Sequence, residues 1–249
     1  MRVGWIRGGG VWLISALAGA ALAGCVLMDR TPTTVVWTLE DVRALKLVDV
    51  VVEPGSFMDR AALKVEIDPA LQARILEGSA ATRTSLALVP GDFRDGTIEV
   101  EVAAEPNGRG GPDARGFAGL AFRVSEDATT YEAIYLRMTN GRLVQPAPPA
   151  PRIDRAIQYV SHPEWTFERF RETAPGAYER GANIAPRRWT RLRIEVEGMT
   201  ARAYVDDQPT AVLTVLDLRR GGDATGAVGL FVDSGTTAWF RELKVRRAD

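Results

Sequence analysis

Thr97-Ile98-Glu99-Val100-Glu101-Val102 alternates apolar and polar side chains residue by residue, and Arg191-Leu192-Arg193-Ile194-Glu195-Val196-Glu197 repeats the pattern. Successive side chains of a strand point to opposite faces, so each stretch reads as a β-strand with one buried and one solvated face. Leu47 to Glu53, Ala62 to Ile67, Ser85 to Val89, Phe117 to Val124, Tyr131 to Arg137, Ala201 to Val205, Ala227 to Val232 and Ala238 to Val245 read the same way. Between them lie turn formers: Glu53-Pro54-Gly55, Val89-Pro90-Gly91, Asp95-Gly96, Asn140-Gly141, Glu197-Gly198 and Arg220-Gly221-Gly222. Short strands at even spacing, joined by such turns, predict an all-β sandwich of two antiparallel sheets rather than alternating βα units.

Composition agrees with this and removes several function classes. The 249 residues are 46% hydrophobic and 25% charged, so the chain can bury a core without staples. Lys and Arg number 31 against 32 Asp and Glu, and this near-neutral balance offers no footprint for nucleic acid. One cysteine forms no intramolecular disulfide, and one histidine beside it leaves little for a nitrogen- or sulfur-ligated metal. No metal and no cofactor is expected.

One segment departs from the strand pattern. Met138 to Arg188 holds seven of the fourteen prolines, which keeps most of it out of sheet interiors. Within it, Pro163 to Thr173 predicts a short helix with Pro163 in its first turn, carrying Trp165, Phe167 and Phe170 toward the sandwich. An excursion this long exceeds what a hairpin needs, and binding groups tend to sit on such excursions.

The N-terminus reads as an address. Arg2 and Arg7 precede an apolar run from Val11 to Gly24, too short to span a bilayer but suited to a secretory signal. It ends in Leu22-Ala23-Gly24-Cys25, which resembles the bacterial lipobox, where the cysteine is lipidated and becomes the mature N-terminus. Residues 1–24 are therefore expected to be a signal peptide, 25–34 a lipidated tether, and 35–249 the folded domain. The resemblance implies a bacterial cell-envelope lipoprotein held at the membrane through lipid on Cys25. Val26 stands where an inner-membrane retention signal has Asp, which favours the outer membrane.

The order of segments is also familiar: Gly91-Asp92-Phe93 leading into Asp95-Gly96-Thr97-Ile98-Glu99-Val100, then Gly116 to Arg123, Tyr131-Glu132 to Arg137, Trp189 to Gly198, Ala227-Val228-Gly229-Leu230-Phe231, and Phe240 to Val245. Across roughly residues 37 to 247 this resembles the concanavalin A-like lectin and glucanase superfamily, in particular its bacterial 3-keto-disaccharide hydrolase domains, and more loosely laminin G-like modules. The resemblance implies a jelly roll with a saccharide or modified glycoside as its partner. It does not imply catalysis, since one scaffold serves lectins, glucanases and inert modules.

The paired-carboxylate strand of the glucanases is missing: Glu66-Ile67-Asp68 is broken by Pro69-Ala70. Glu99, Glu101, Glu195 and Glu197 are expected to form a solvated face with cross-strand ion pairs. By strand alternation, Gly119, Ala121 and Arg123 share a face, as do Tyr131, Ala133, Tyr135 and Arg137. Aromatic rings and guanidinium forks suit a sugar, so Arg123, Tyr131, Tyr135 and Arg137, with Gln158 and Trp165 from the excursion, are the carbohydrate-binding candidates. The bland alternative is a cluster that packs beneath the excursion. Glu132 falls on the apolar side, where it needs an ionic partner or serves as an acid or base. His162, the single histidine, is the other candidate for proton transfer. Three readings stay open: a carbohydrate-recognition module, a hydrolase or lyase on 3-keto-glycosides, and a structural envelope module.

Overall fold

Ile98, Val100 and Val102 are fully buried while Glu99 and Glu101 face out, as the alternation requires. The structure is a computed structural model that describes Met1 and residues 34–39, 41–80 and 85–248. The expected signal segment and Cys25 lie outside the described residues.

In chain order the elements are β1 (Thr34–Trp37), β2 (Lys46–Val48), β3 (Val50–Phe57), β4 (Arg60–Ile67), α1 (Pro69–Leu76), β5 (Leu86–Phe93), β6 (Gly96–Pro106), β7 (Phe117–Val124) and β8 (Tyr131–Arg137). They continue as β9 (Ile157–His162), α2 (Phe167–Thr173), β10 (Glu179–Arg180), β11 (Thr190–Glu197), β12 (Thr200–Val205), β13 (Leu213–Val215), β14 (Gly226–Val232) and β15 (Thr236–Arg247). They form two antiparallel sheets, one ordered β13-β12-β11-β6-β15-β4-β3 with β1 alongside β15, the other β10-β9-β8-β7-β14-β5-β2. This is the two-sheet sandwich the sequence predicts.

The sheets meet over a core drawn from alternate positions: Leu63 and Val65, Leu192 and Ile194, and Phe240 from the first; Leu120 and Phe122, Ile134 and Leu136, and Leu230 from the second. The far face of the first sheet is charged and wet. Arg60 reaches Glu101 at 2.5 Å and Lys244 reaches Glu99 at 3.2 Å, which are the expected cross-strand pairs. The far face of the second sheet differs, being apolar: Leu86, Leu88, Ala121, Ala133, Tyr131, Tyr135 and Phe231 form a second cluster there.

Several details depart from the sequence reading. Glu53-Pro54-Gly55 is no turn but part of edge strand β3, where a missing N–H costs no ladder bond on the open side. The turn comes later, at Met58-Asp59, both with positive φ. Val89-Pro90-Gly91 likewise lies inside β5, beyond the end of β2 and beside a bulge against β14. The proline-rich excursion gives a full strand to the second sheet: β9 pairs with β8 from Leu136↔Ile157 to Tyr131↔His162. Its prolines fall on either side of that strand. The helix starts four residues later than predicted, because Ser161 and Trp165 exchange backbone hydrogen bonds of 3.0 and 2.8 Å around a tight turn holding Pro163, and Thr166 becomes the cap.

Candidate active-site cleft

Strands β8 and β9 and the end of β14 place their outward side chains under the turn that leads into α2. Tyr131 and Tyr135 come from β8, Val160 and His162 from β9, Phe231 from β14, and Asp233 from the residue just beyond it. Trp165, Thr166, Phe167 and Glu168 close the cleft from above, and the cavity measures about 300 Å³. Gly119 pairs with Tyr135 across β7 and β8, and a Cβ there would stand 2.4 Å from the Ile134 carbonyl oxygen and 2.5 Å from the Tyr135 Cα, so the strand carrying Tyr135 packs as close as only glycine allows.

The rings brace one another. His162 stacks on Tyr131 with centroids 4.9 Å apart, as their cross-strand pairing dictates, and Tyr135 stacks on Phe231 at 5.0 Å. Trp165 is committed to the protein: Arg169 and Arg219 each hold a guanidinium 4.2 Å from its centroid, and Phe170 stacks at 5.4 Å. Held by these partners, its ring forms part of the cleft wall.

Three of the ionisable groups that line this cavity are shifted from their ordinary pKa values. Desolvation lowers the pKa of His162, so the half-buried imidazole is neutral at pH 7. Desolvation raises the pKa of Asp233, and the nearby Glu168 charge adds to the effect; a 2.6 Å hydrogen bond from the Ser234 N–H and the charge of Arg137 work against it. Burial also raises the Tyr135 phenol, against the opposing charge of Arg137 and its 3.1 Å hydrogen bond. A neutral imidazole opposite a carboxyl with raised affinity for its proton is a constellation able to move protons.

Of the residues chosen from sequence, Tyr131, Tyr135, Trp165 and His162 converge here. Arg123 does not. Between Ala121 and Val124, β7 carries one residue more than β14 opposite it, and Arg123 takes φ 52°. This bulge resets the alternation and turns the side chain to the core side. There its guanidinium bonds the carbonyls of Arg94, Gly198 and Gly221 at 3.0, 2.7 and 2.8 Å, and Asp95 at 3.2 Å. Glu132 is on that side too, fully buried, 3.6 Å from Arg123 and accepting from the Tyr159 hydroxyl and the Arg220 N–H. It is not among the residues that line this cleft, and Arg123 stands as the cation beside its buried carboxylate. Gln158 faces outward beside Tyr135 but is buried, its amide donating to the carbonyls of Tyr159 and Tyr178. Arg137 lies one cavity over, beyond Phe167.

Asp233, Glu168 and Phe231 escape the sequence reading. Asp233-Ser234-Gly235 reads as an ordinary turn, and Ala227 to Val232 is apolar at nearly every position, which hides the outward Phe231. Another cavity of about 640 Å³ opens near Lys46, Pro90, Asp92 and Ser125, but no aromatic ring and no histidine lines it.

A family model described as 3-keto-alpha-glucoside-1,2-lyase-like domain matches residues 52–246. No curated protein matches the chain. Among solved structures, a carbohydrate-binding module CBM66 from Bacillus subtilis is 16% identical over 80% of this chain and 96% of its own, with a TM-score of 0.49. A Bacillus subtilis protein of unknown function with a galectin-like fold is 13% identical over 83% of this chain and 90% of its own, with a TM-score of 0.48. The galectin LEC-6 of Caenorhabditis elegans is 12% identical over 64% of this chain and 89% of its own, with a TM-score of 0.36. The family match runs along most of the chain and through every strand that lines the cleft, so the chain belongs to the 3-keto-alpha-glucoside-1,2-lyase-like domain family.

Proposed function

We propose that the aromatic cleft binds a glycoside and that the protein acts on its 3-keto form. The observation that carries this is the convergence of Tyr131, Tyr135 and Phe231 with His162 and Asp233 on one cavity of sugar size. Rings supply apolar surface for the C–H face of a pyranose, and family membership points to the 3-keto substrate class. A carbonyl at C3 acidifies the hydrogen at C2. In the reaction this permits, His162 takes the C2 proton, the C–H electron pair becomes the C1=C2 double bond, and the C1–O bond breaks. Asp233 gives its proton to the departing oxygen. Nothing is oxidised or reduced, and no water is consumed in the elimination; addition of water to the product would complete a hydrolysis.

The test is direct. A 3-keto-glucoside with a chromogenic leaving group should release it in the presence of the protein. Phe231→Leu, which keeps most of the volume but removes the ring, should weaken saccharide binding roughly three- to tenfold. Binding without release would leave a recognition module. Failure to bind any saccharide would refute the proposal and leave the structural alternative.

We further propose that the domain is displayed on the bacterial envelope, outer membrane favoured, by lipid on Cys25. The Leu22-Ala23-Gly24-Cys25 pattern after a charged and apolar leader supports this. Intact mass of membrane-extracted protein should exceed the Cys25-started chain by the acyl groups, and Cys25→Ser should lack that increment. An unmodified wild-type mass would be decisive against it.

A further inference from the structure

A second cavity, of about 700 Å³, lies on the other side of Phe167 and Glu168, which line both. Its walls carry five arginines, Arg115, Arg137, Arg152, Arg155 and Arg171, against the carboxylates of Asp113 and Glu168. The buried Glu179 behind them holds Arg171 at 2.8 Å, Arg155 at 3.0 Å and Arg137 at 3.3 Å. Even with Glu179 counted, five guanidiniums face three carboxylates, an excess of positive charge in a chain whose net charge is −1.

The forks are only partly used. Arg155 spends its Nε on Glu179, and its terminal nitrogens donate no hydrogen bond among the described residues. Arg152 uses Nε on the Asn140 side-chain oxygen and Nη2, at 3.4 Å, on the Thr139 carbonyl, leaving Nη1. Arg171 binds Glu179 through Nε and Nη2, leaving Nη1. Guanidinium donors without acceptors, held at the wall of a cavity by a buried carboxylate, match the planar oxygens of a carboxylate, sulfate or phosphate. Arg137 ties this cavity to the first, since it donates to the Tyr135 hydroxyl at 3.1 Å and lies over the Phe167 ring.

We propose that the arginine cleft binds an oxyanion carried by the saccharide, so that the preferred ligand is an acidic glycoside: a uronic acid, or a sulfated or phosphorylated sugar. The saccharide part of this rests on the function proposed above; the anion site does not.

Full-length protein is titrated with methyl glucoside, methyl glucuronide, glucose 6-sulfate and glucose 6-phosphate, and separately with sodium sulfate and sodium phosphate. The acidic ligands are expected to bind at least about tenfold more tightly than the neutral one, with an advantage that falls as salt rises. The pattern among the three acids identifies which oxyanion is read. Arg152→Gln/Arg155→Gln should erase the advantage while leaving the neutral sugar unaffected, because Arg137 and Arg171 still neutralise Glu179; thermal unfolding checks that the variant is folded. Arg43→Gln, an exposed arginine on another part of the surface, should change nothing. Equal affinity for neutral and acidic sugars, or an advantage that survives the double variant, would overturn the inference and leave the saccharide reading standing. Binding of sulfate or phosphate lost in the double variant, with no binding of neutral sugar, would do the reverse. No binding of any ligand would dismiss both.

Discussion

Arg123→Met is expected to cost the domain about 3–5 kcal/mol, the range for stripping one partner from a buried ion pair. The guanidinium is fully buried and ties three separate turns, through the carbonyls of Arg94, Gly198 and Gly221, to the end of β7. Methionine fills much of the space but donates nothing, so these carbonyls lose a donor and Glu132 loses the cation 3.6 Å away. Arg123→Lys should rescue little, because one ammonium does not reach acceptors arranged around a planar fork. A titration separates the charge from the packing. Burial raises the Glu132 pKa above the ordinary carboxylate value, with the Arg220 N–H and Arg123 opposing. A group whose folded pKa is raised favours folding below its unfolded pKa and loses that contribution as pH rises through the folded value. Without Arg123 the ionised form becomes costlier still, so the penalty in Arg123→Met should be largest at neutral pH and shrink on acidification. Adding Glu132→Gln should recover part of the loss at pH 7. Urea unfolding at pH 7 and pH 5 measures all of this, and a loss below about 1 kcal/mol would show the guanidinium to be dispensable.

This residue also marks where the sequence stops being legible. Alternation locates β7 and β8 to the residue, because each offers an unbroken apolar set to the core, and the ends agree with Phe117–Val124 and Tyr131–Arg137. Alternation also puts Tyr131 and Tyr135 on one face, and the structure has them there. It fails at Arg123 because a bulge changes side-chain parity without changing composition. The nearest signal is Gly226 across the strand pair, where a Cβ would stand 2.1 Å from the Val124 carbonyl oxygen. Strand β9 is readable in principle: Ile157-Gln158-Tyr159-Val160-Ser161-His162 alternates and holds no proline, but the proline count of its surroundings outweighs it. Asp233 and the arginine cleft are not readable. They depend on which strand ends and loops the topology brings together, and residues 115, 137, 152 and 171 meet only once β9 has docked on β8.

Asp233→Asn is expected to lower turnover of a 3-keto-glucoside by at least about a hundredfold while making the protein more stable at pH 7. The two effects share one cause. In the proposed elimination the leaving oxygen needs a proton, which a carboxyl of raised pKa retains further into the working range and an amide does not give up. His162, its pKa lowered, must be neutral to accept the C2 proton. The active form therefore has His162 deprotonated and Asp233 protonated. The rate should rise with pH through the lowered histidine pKa and fall through the raised aspartate pKa. Asp233→Asn should remove the alkaline fall together with most of the rate. His162→Ala should instead remove the acid limb. For stability, the raised folded pKa means that Asp233 favours folding below its unfolded value of 3.8 and loses that contribution as pH rises through the folded value. Burial and the nearby Glu168 make the ionised form work against the fold, increasingly so as pH rises above the unfolded value. Asparagine keeps an oxygen for the Ser234 N–H and removes the charge, so its advantage should be present at pH 7 and vanish below about pH 4. Catalytic groups commonly cost stability in this way, whereas a surface turn aspartate or a recognition residue has no reason to. An Asp233→Asn protein that is less stable at pH 7, or that turns substrate over like the wild type, would remove Asp233 from the chemistry and leave His162 to be tested alone.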